Sequence, residues 1–177
     1  MAADANGALS GSARALAAPI ERVFAELDPL ARALSAIVGG VWSRGAELRS
    51  ADLTQLVSLA VDILRGDGML VGAGVVMEPG LLSDVDRWLE WRQLDLEGRP
   101  RPLLLDVDTS SEDPYDYPQM EWFRIPRDEG RRMVGGPYFD YRGADRFALT
   151  FAVPVVVEGT FVGMAGADVP LSQLESE

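Results

Sequence analysis

Cysteine, histidine and lysine are all missing from this chain. Without cysteine there can be no disulfide, no thiolate nucleophile and no thiolate metal site. Without histidine, the commonest general acid–base and the commonest transition-metal ligand go together. All 16 basic residues are arginine, and against 28 acids they leave a formal net charge of −12. A surface of that sign repels nucleic acid and anionic lipid, so neither is expected as a partner of this segment. Long apolar runs are absent as well: charges, glycine or proline break every candidate before the roughly 20 residues a bilayer span requires. The N-terminus has no basic stretch followed by an apolar one, so no secretory signal is visible, and the expectation is a cytoplasmic protein without membrane contact. Glycine-rich phosphate loops and the G-x-S-x-G elbow are not present, which leaves nucleotide-phosphate and serine-hydrolase chemistry without their signatures and no cofactor to expect.

What remains is a globular composition. Of 177 residues, 47% are apolar and 25% charged, enough for one domain with a real core plus an appendage. Residues 1–12, rich in Ala, Gly and Ser, carry no pattern to bury and are expected to form a disordered tail. Residues 13–48 follow, with Leu16, Ile20, Val23, Leu27, Leu30, Leu34, Ile37 and Val41 recurring at alternating steps of four and three. That spacing is a heptad seam. It suits a dimerising or signal-transmitting helix, or a helix that packs its stripe on its own domain. Pro19 and Pro29 argue against one unbroken rod, although Asp28-Pro29 can also start a second helix. Ser50 is placed to cap a further helix ending near Gly66.

From residue 49 to 177 the pattern turns to strands. MLVGAGVVM (69–77) reads as a central strand that something approaches closely, and RWLEWRQLD (87–95) as a strand of a meander. The apolar run at 103–108 reads as another, leaving into a polar loop through Asp106 and Asp108. That acid pair is a weak metal signal with no further ligand spacing. The clearest pattern is the last: Phe147, Leu149, Phe151, Val153, Val155 and Val157 alternate against small Ala148, Thr150 and Ala152, then Glu158-Gly159 turns the chain. On the return, Val162, Met164, Gly166 and Asp168 share a face, so a carboxylate sits at the end of an apolar, glycine-opened surface. Helices followed by successive strands make an α+β domain, with long N-terminal helices packed on one side of a central antiparallel sheet.

Between 115 and 168 the residues collect rings and acids: Tyr115, Trp122-Phe123, Pro137-Tyr138-Phe139-Asp140, Pro154-Val155, Gly159, Val162-Gly163 and Gly166-Ala167-Asp168. In order and spacing this resembles the Cache sensor domains of bacterial receptors and regulators, over roughly the last two thirds of the chain. The resemblance implies a PAS-like sheet with a ligand cavity beneath the loops, a single sensor domain at 49–177, and sensing without catalysis. It implies ligand contacts at Tyr115, Trp122, Tyr138, Asp140 and Asp168, at the aromatic position held by Phe123, and at the position held by Met120. In the amino-acid-binding members an arginine stands where this chain has Met120, and a tyrosine where it has Phe123. Loss of that arginine removes the clamp for a ligand carboxylate unless Arg124 or Arg127 replaces it. The retained rings and acids favour a cation, because aromatic faces attract ammonium groups and a carboxylate neutralises them.

The expected function is therefore a cytoplasmic regulator's small-molecule sensor, taking an amine-containing ligand and signalling through helix packing in a homodimer. An output domain such as a helix-turn-helix, or a separate regulatory partner, would read the signal. Two other readings stay open. One is an enzyme using Asp140 with Asp168 as acid and base, which would need a raised carboxyl pKa. The other is a structural dimerisation module whose seam is its function.

Overall fold

The structure is a computed structural model that describes residues 2–66, 68–139 and 147–174, with side chains from residue 17 onward except that of Phe139. Helix α1 (Ala2–Trp42) is followed by a 3-10 turn (Ser50–Leu53), α2 (Gln55–Leu64), β1 (Gly72–Met77), β2 (Leu89–Leu94) and β3 (Pro100–Pro102). A second 3-10 turn (Tyr117–Gln119), α3 (Glu121–Glu129), β4 (Met133–Phe139), β5 (Phe147–Val157), β6 (Thr160–Pro170) and α4 (Leu171–Leu174) complete the chain. The six strands form one antiparallel sheet in the order β3-β2-β1-β6-β5-β4. This is the α+β, PAS-like arrangement anticipated: a long N-terminal helix on a central antiparallel sheet.

The heptad stripe of α1 is used inside the domain. Val23, Leu27, Leu30, Leu34, Val38 and Val41 are buried, packed with α2 and with Val75, Phe151, Val155, Ala165, Ala167 and Val169 of the sheet. Burying these side chains supplies the helix with the tertiary contacts that stabilise it beyond its intrinsic propensity. It also means that this stripe is not available as a dimer seam. Val38, not Ile37, takes the buried position near the C-terminal end. The helix runs through Pro19 and Pro29 where the sequence suggested a break. Proline removes one backbone donor per site, a cost that packing of the flanking turns offsets.

In three places the structure departs from the strands read above or adds to them. Residues 103–108 are not a strand: Leu103 donates its N–H to the Trp91 carbonyl and the chain then leaves the sheet, with Leu104 84% exposed. The segment instead closes a loop, Tyr115 N–H to the Asp106 carbonyl, with the Asp106 and Asp108 carboxylates accepting from backbone N–H groups two residues on. Among the described residues no group of three or more metal-ligating side chains forms there or elsewhere. Second, Glu121–Glu129 is a helix, ended by Gly130 in a left-handed conformation (φ 64°), and Met133–Phe139 is a strand. Third, Val162 does not share a face with Met164. The register shifts opposite Val155-Val156, and Gly163 (φ 151°) lies where a Cβ would run into the Val76 carbonyl oxygen. That bulge turns Val162 toward the helices and Phe161 toward the other face. The Glu158-Gly159 turn is as expected, both residues having positive φ (50° and 80°).

Candidate functional site

The helices cover one face of the sheet; the site lies on the other. Register places Gln93, Gly72, Asp168, Thr150 and Gly135 in one cross-strand row on that face, and Trp91, Gly74, Gly166 and Ala152 in the next. The segment from Leu103 through α3 folds over these rows. It is anchored by fully buried Tyr117 and Phe123, whose rings meet edge to face at 5.1 Å, and by the Tyr117 hydroxyl, which donates to the Met77 carbonyl at 2.9 Å. Burial pushes the Tyr117 hydroxyl pKa up to about 12. Nearby Glu78 is also raised, by desolvation first, with Arg127 opposing.

Between this cover and the sheet is a cavity of about 100 Å³, lined by Val76, Leu89, Trp91, Leu103, Leu105, Tyr115, Trp122, Thr150 and Asp168. It is well below the roughly 300–1,000 Å³ of drug-sized sites, so it suits a ligand of a few heavy atoms. Asp168 is the one charged residue among those walls. Its Oδ1 accepts the Thr150 hydroxyl at 2.7 Å across the β5–β6 ladder. Its Oδ2 leans over β1, 2.8 Å from where a Cβ on Gly72 would stand.

The residues named from the sequence separate into three groups. Tyr115, Trp122 and Asp168 are brought together as cavity walls. Met120, Phe123 and Tyr138 are not in the lining. Met120 precedes α3 and is 36% exposed, whereas Phe123 is fully buried behind the site, edge-on to Tyr117, Trp122 and Phe161. Tyr138 stands at the margin, 41% exposed, its hydroxyl folded over Gly135, the register neighbour of Thr150. Burial, and then Glu121, raise its pKa. Asp140 lies outside the described residues. Neither arginine considered as a substitute clamp lines the cavity: Arg124 and Arg127 both pair with Asp128, and Arg127 lies 5.9 Å from the Phe123 ring centre.

Trp91 is the wall that sequence reasoning missed. Its indole lies across β1 and β6, Nε1 beside Gly72 and Cη2 beside Gly166, while a Cβ on Gly74 would run into the Glu90 carbonyl oxygen and come within 2.8 Å of the Trp91 Cα. The glycines that suggested empty space above the sheet thus seat a tryptophan. The available signal was a strand tryptophan matched by glycines on two neighbouring strands, readable only once the strand pairing is known.

Residues 102–176 match the family model for the first PDC sensor domain of methyl-accepting chemotaxis protein-like proteins. The chain is 29% identical over 145 residues to the methyl-accepting chemotaxis protein TlpQ of Pseudomonas aeruginosa, covering 71% of this chain and 20% of TlpQ. Its fold is similar to the extracellular domain of a protein designated histidine kinase soHK1S-Z6, with a TM-score of 0.65 and 16% identity over 93% of this chain and 58% of that one. It is also similar to the ligand-binding domain of the Campylobacter jejuni chemoreceptor Tlp3 in complex with L-norvaline, with a TM-score of 0.53 and 12% identity over 92% and 62% of the two chains. The chain thus spans a fifth of TlpQ and about three fifths of the two solved domains. By fold the chain is PAS-like, and over residues 102–176 it is similar to the first PDC sensor domain of methyl-accepting chemotaxis protein-like proteins. The cytoplasmic placement expected from the sequence is contradicted: the solved domains of similar fold include the extracellular soHK1S-Z6 domain and the periplasmic sensory domain of the Campylobacter jejuni chemoreceptor Tlp1. That no described helix is long and apolar enough to cross a membrane is a property of these residues and carries no compartment with it.

Proposed function

We propose that this domain is a non-catalytic, extracytoplasmic sensor for a small amine, held in the cavity between Asp168 and the rings of Trp91, Tyr115 and Trp122. The observation that carries the reading is the charge of the described walls: one carboxylate, no arginine, and three aromatic faces. An ammonium group gains from the carboxylate and from ring faces together, whereas a ligand carboxylate would meet the like charge of Asp168 with no cation among the described walls. Met120, outside the lining, offers none either. The non-catalytic reading is supported by the likeness to sensor domains of chemoreceptors and of a histidine kinase.

The route of the signal runs along the cover. Trp122 sits on α3, and the chain leaves α3 through Gly130 into Arg132, which donates two hydrogen bonds of 3.1 Å to Glu21 of α1 and lies 4.3 Å from the Phe24 ring centre. A ligand that repositions Trp122 would therefore reposition a group tied to the long helix. Occupancy is transmitted only to the extent that the ligand binds two arrangements with different affinity. A second copy of the chain and an output domain are the partners this would require, and sedimentation with and without ligand tests the first.

A thermal-shift screen of short amines, amino acids, carboxylates and nucleobases tests the reading. Amines are expected to raise the melting temperature in a saturable way, with carboxylates inert. Stabilisation by carboxylates in preference to amines would overturn it.

A further inference from the structure

Trp91 holds a polar atom that the fold leaves unanswered. Its Nε1 is fully buried and has no hydrogen-bond partner in the protein. That atom and Asp168 Oδ2 each lie 2.8 Å from the same spot above Gly72, so a donor and a carboxylate converge on one patch of the cavity floor. The same indole fills the floor from Gly72 to Gly166 and is part of the wall of a cavity of only about 100 Å³. A buried N–H without an acceptor is destabilising, and it is retained where something else supplies the acceptor.

We propose that Trp91 is the specificity-determining residue of the site: it selects short amines that carry a hydrogen-bond acceptor near the ammonium group. This rests on the amine reading above. The ammonium would sit against Asp168, and an acceptor two carbons away, a hydroxyl or carbonyl oxygen, would take the Trp91 N–H. Longer chains are refused because the indole occupies the space over Gly72 and Gly166. Small residues on two strands are thus the seat of a filter, and removing the filter exposes the seat.

Calorimetry with ethanolamine, n-propylamine and n-hexylamine reads both halves of the proposal. Ethanolamine and n-propylamine differ by a hydroxyl in place of a methyl. Wild type is expected to prefer ethanolamine by roughly three- to tenfold, the size of one neutral hydrogen bond. Trp91→Phe keeps a ring and loses the donor, so the preference disappears. Trp91→Ala opens the floor, so n-hexylamine, refused by wild type, binds. An unchanged ethanolamine preference in Trp91→Phe, or an unchanged length limit in Trp91→Ala, overturns the proposal. If the alanine variant does not fold, Trp91→Leu decides the length limit. The matching alcohols and carboxylates form a second arm. Should wild type bind those and ignore amines, the amine reading falls, while the effects of the same variants on that series still decide the role of Trp91. Should wild type bind none of the three series, both fall.

Discussion

On the helix side of the sheet, α1 and α2 meet β1, β5 and β6 through Val, Leu, Phe and Ala side chains that are almost all fully buried. On the cavity side, the same strands present glycines, Thr150 and Asp168, and β2 adds Trp91, to a cover of loop and short helix. The buried side-chain atoms without a hydrogen-bond partner, among the described residues, belong to Glu78, Arg87, Trp91 and Asp116, with Arg87 and Asp116 forming an ion pair at 2.9 Å and Arg87 lying 5.9 Å from the Tyr117 ring centre. None of them belongs to the helix-side core. One face is thus apolar and closed, and the other tolerates unsatisfied polar groups that stability alone would select against. On the proposed reading, the first face carries stability and the second recognition.

The strongest way to break that division is a cavity in the helix-side core. Leu34→Ala is expected to cost about 2–5 kcal/mol in urea unfolding, from lost burial and an unfilled space. Affinity for an amine ligand should change little in the protein that remains folded. A large loss of affinity at intact structure would mean that the two faces are not separate.

A second prediction uses the missing residue types. With no Cys, Lys or His, the four tyrosines are the only side chains that titrate between about pH 8 and 12. Tyr117 is raised by burial to about 12, against about 10 in an unfolded chain. The folded state therefore holds this proton more tightly. The stabilisation is fully present below about pH 10 and is lost as pH climbs toward 12, with a slope of up to roughly 1.4 kcal/mol per pH unit. Tyr138, also raised, acts in the same sense. Tyr117→Phe should flatten this alkaline limb, while costing about 0.5–1.5 kcal/mol at neutral pH through the lost bond to Met77. Equal alkaline slopes in the two proteins would show that Tyr117 is not the group responsible.

The smallest effect on stability is expected at the link between the faces. Glu21 and Arg132 are each about half exposed, so Arg132→Ala should cost no more than about 1 kcal/mol. Its effect should instead appear in transmission: a fluorescent probe on α1 that responds to ligand in the wild type should respond less in the variant. An undiminished response would remove this contact from the signalling route.

The two faces also differ in how far the sequence revealed them. Alternation in 147–157, the Glu158-Gly159 turn and the stripe from Val23 to Val41 are local patterns, and the structure follows them apart from Val38 taking the buried place expected for Ile37. Whether the stripe packed inward or on a partner is not encoded in the period; the sheet opposite it decides. On the cavity side, α3 is obscured by Pro126 and a run of charges, and β4 by Gly135-Gly136-Pro137 and the register shift there. The 103–108 run reads as a strand because its leucines are apolar, yet Leu104 points to solvent. Tyr115, Trp122 and Asp168 were visible as rings and an acid in a spaced series. Trp91 was not, because its role depends on Gly72, Gly74 and Gly166, which reach it only through the pairing of three strands.

The central claim is that Asp168 is the counter-charge for a bound ammonium group. Calorimetry of a short amine against wild type and Asp168→Asn tests it most directly, because asparagine keeps the shape and can still accept from Thr150. The account predicts one-to-one binding to wild type that weakens by at least roughly thirtyfold in the variant, the lower end of the cost of truncating a close charge pair. Equal affinity in the two proteins, with both folded, would contradict it.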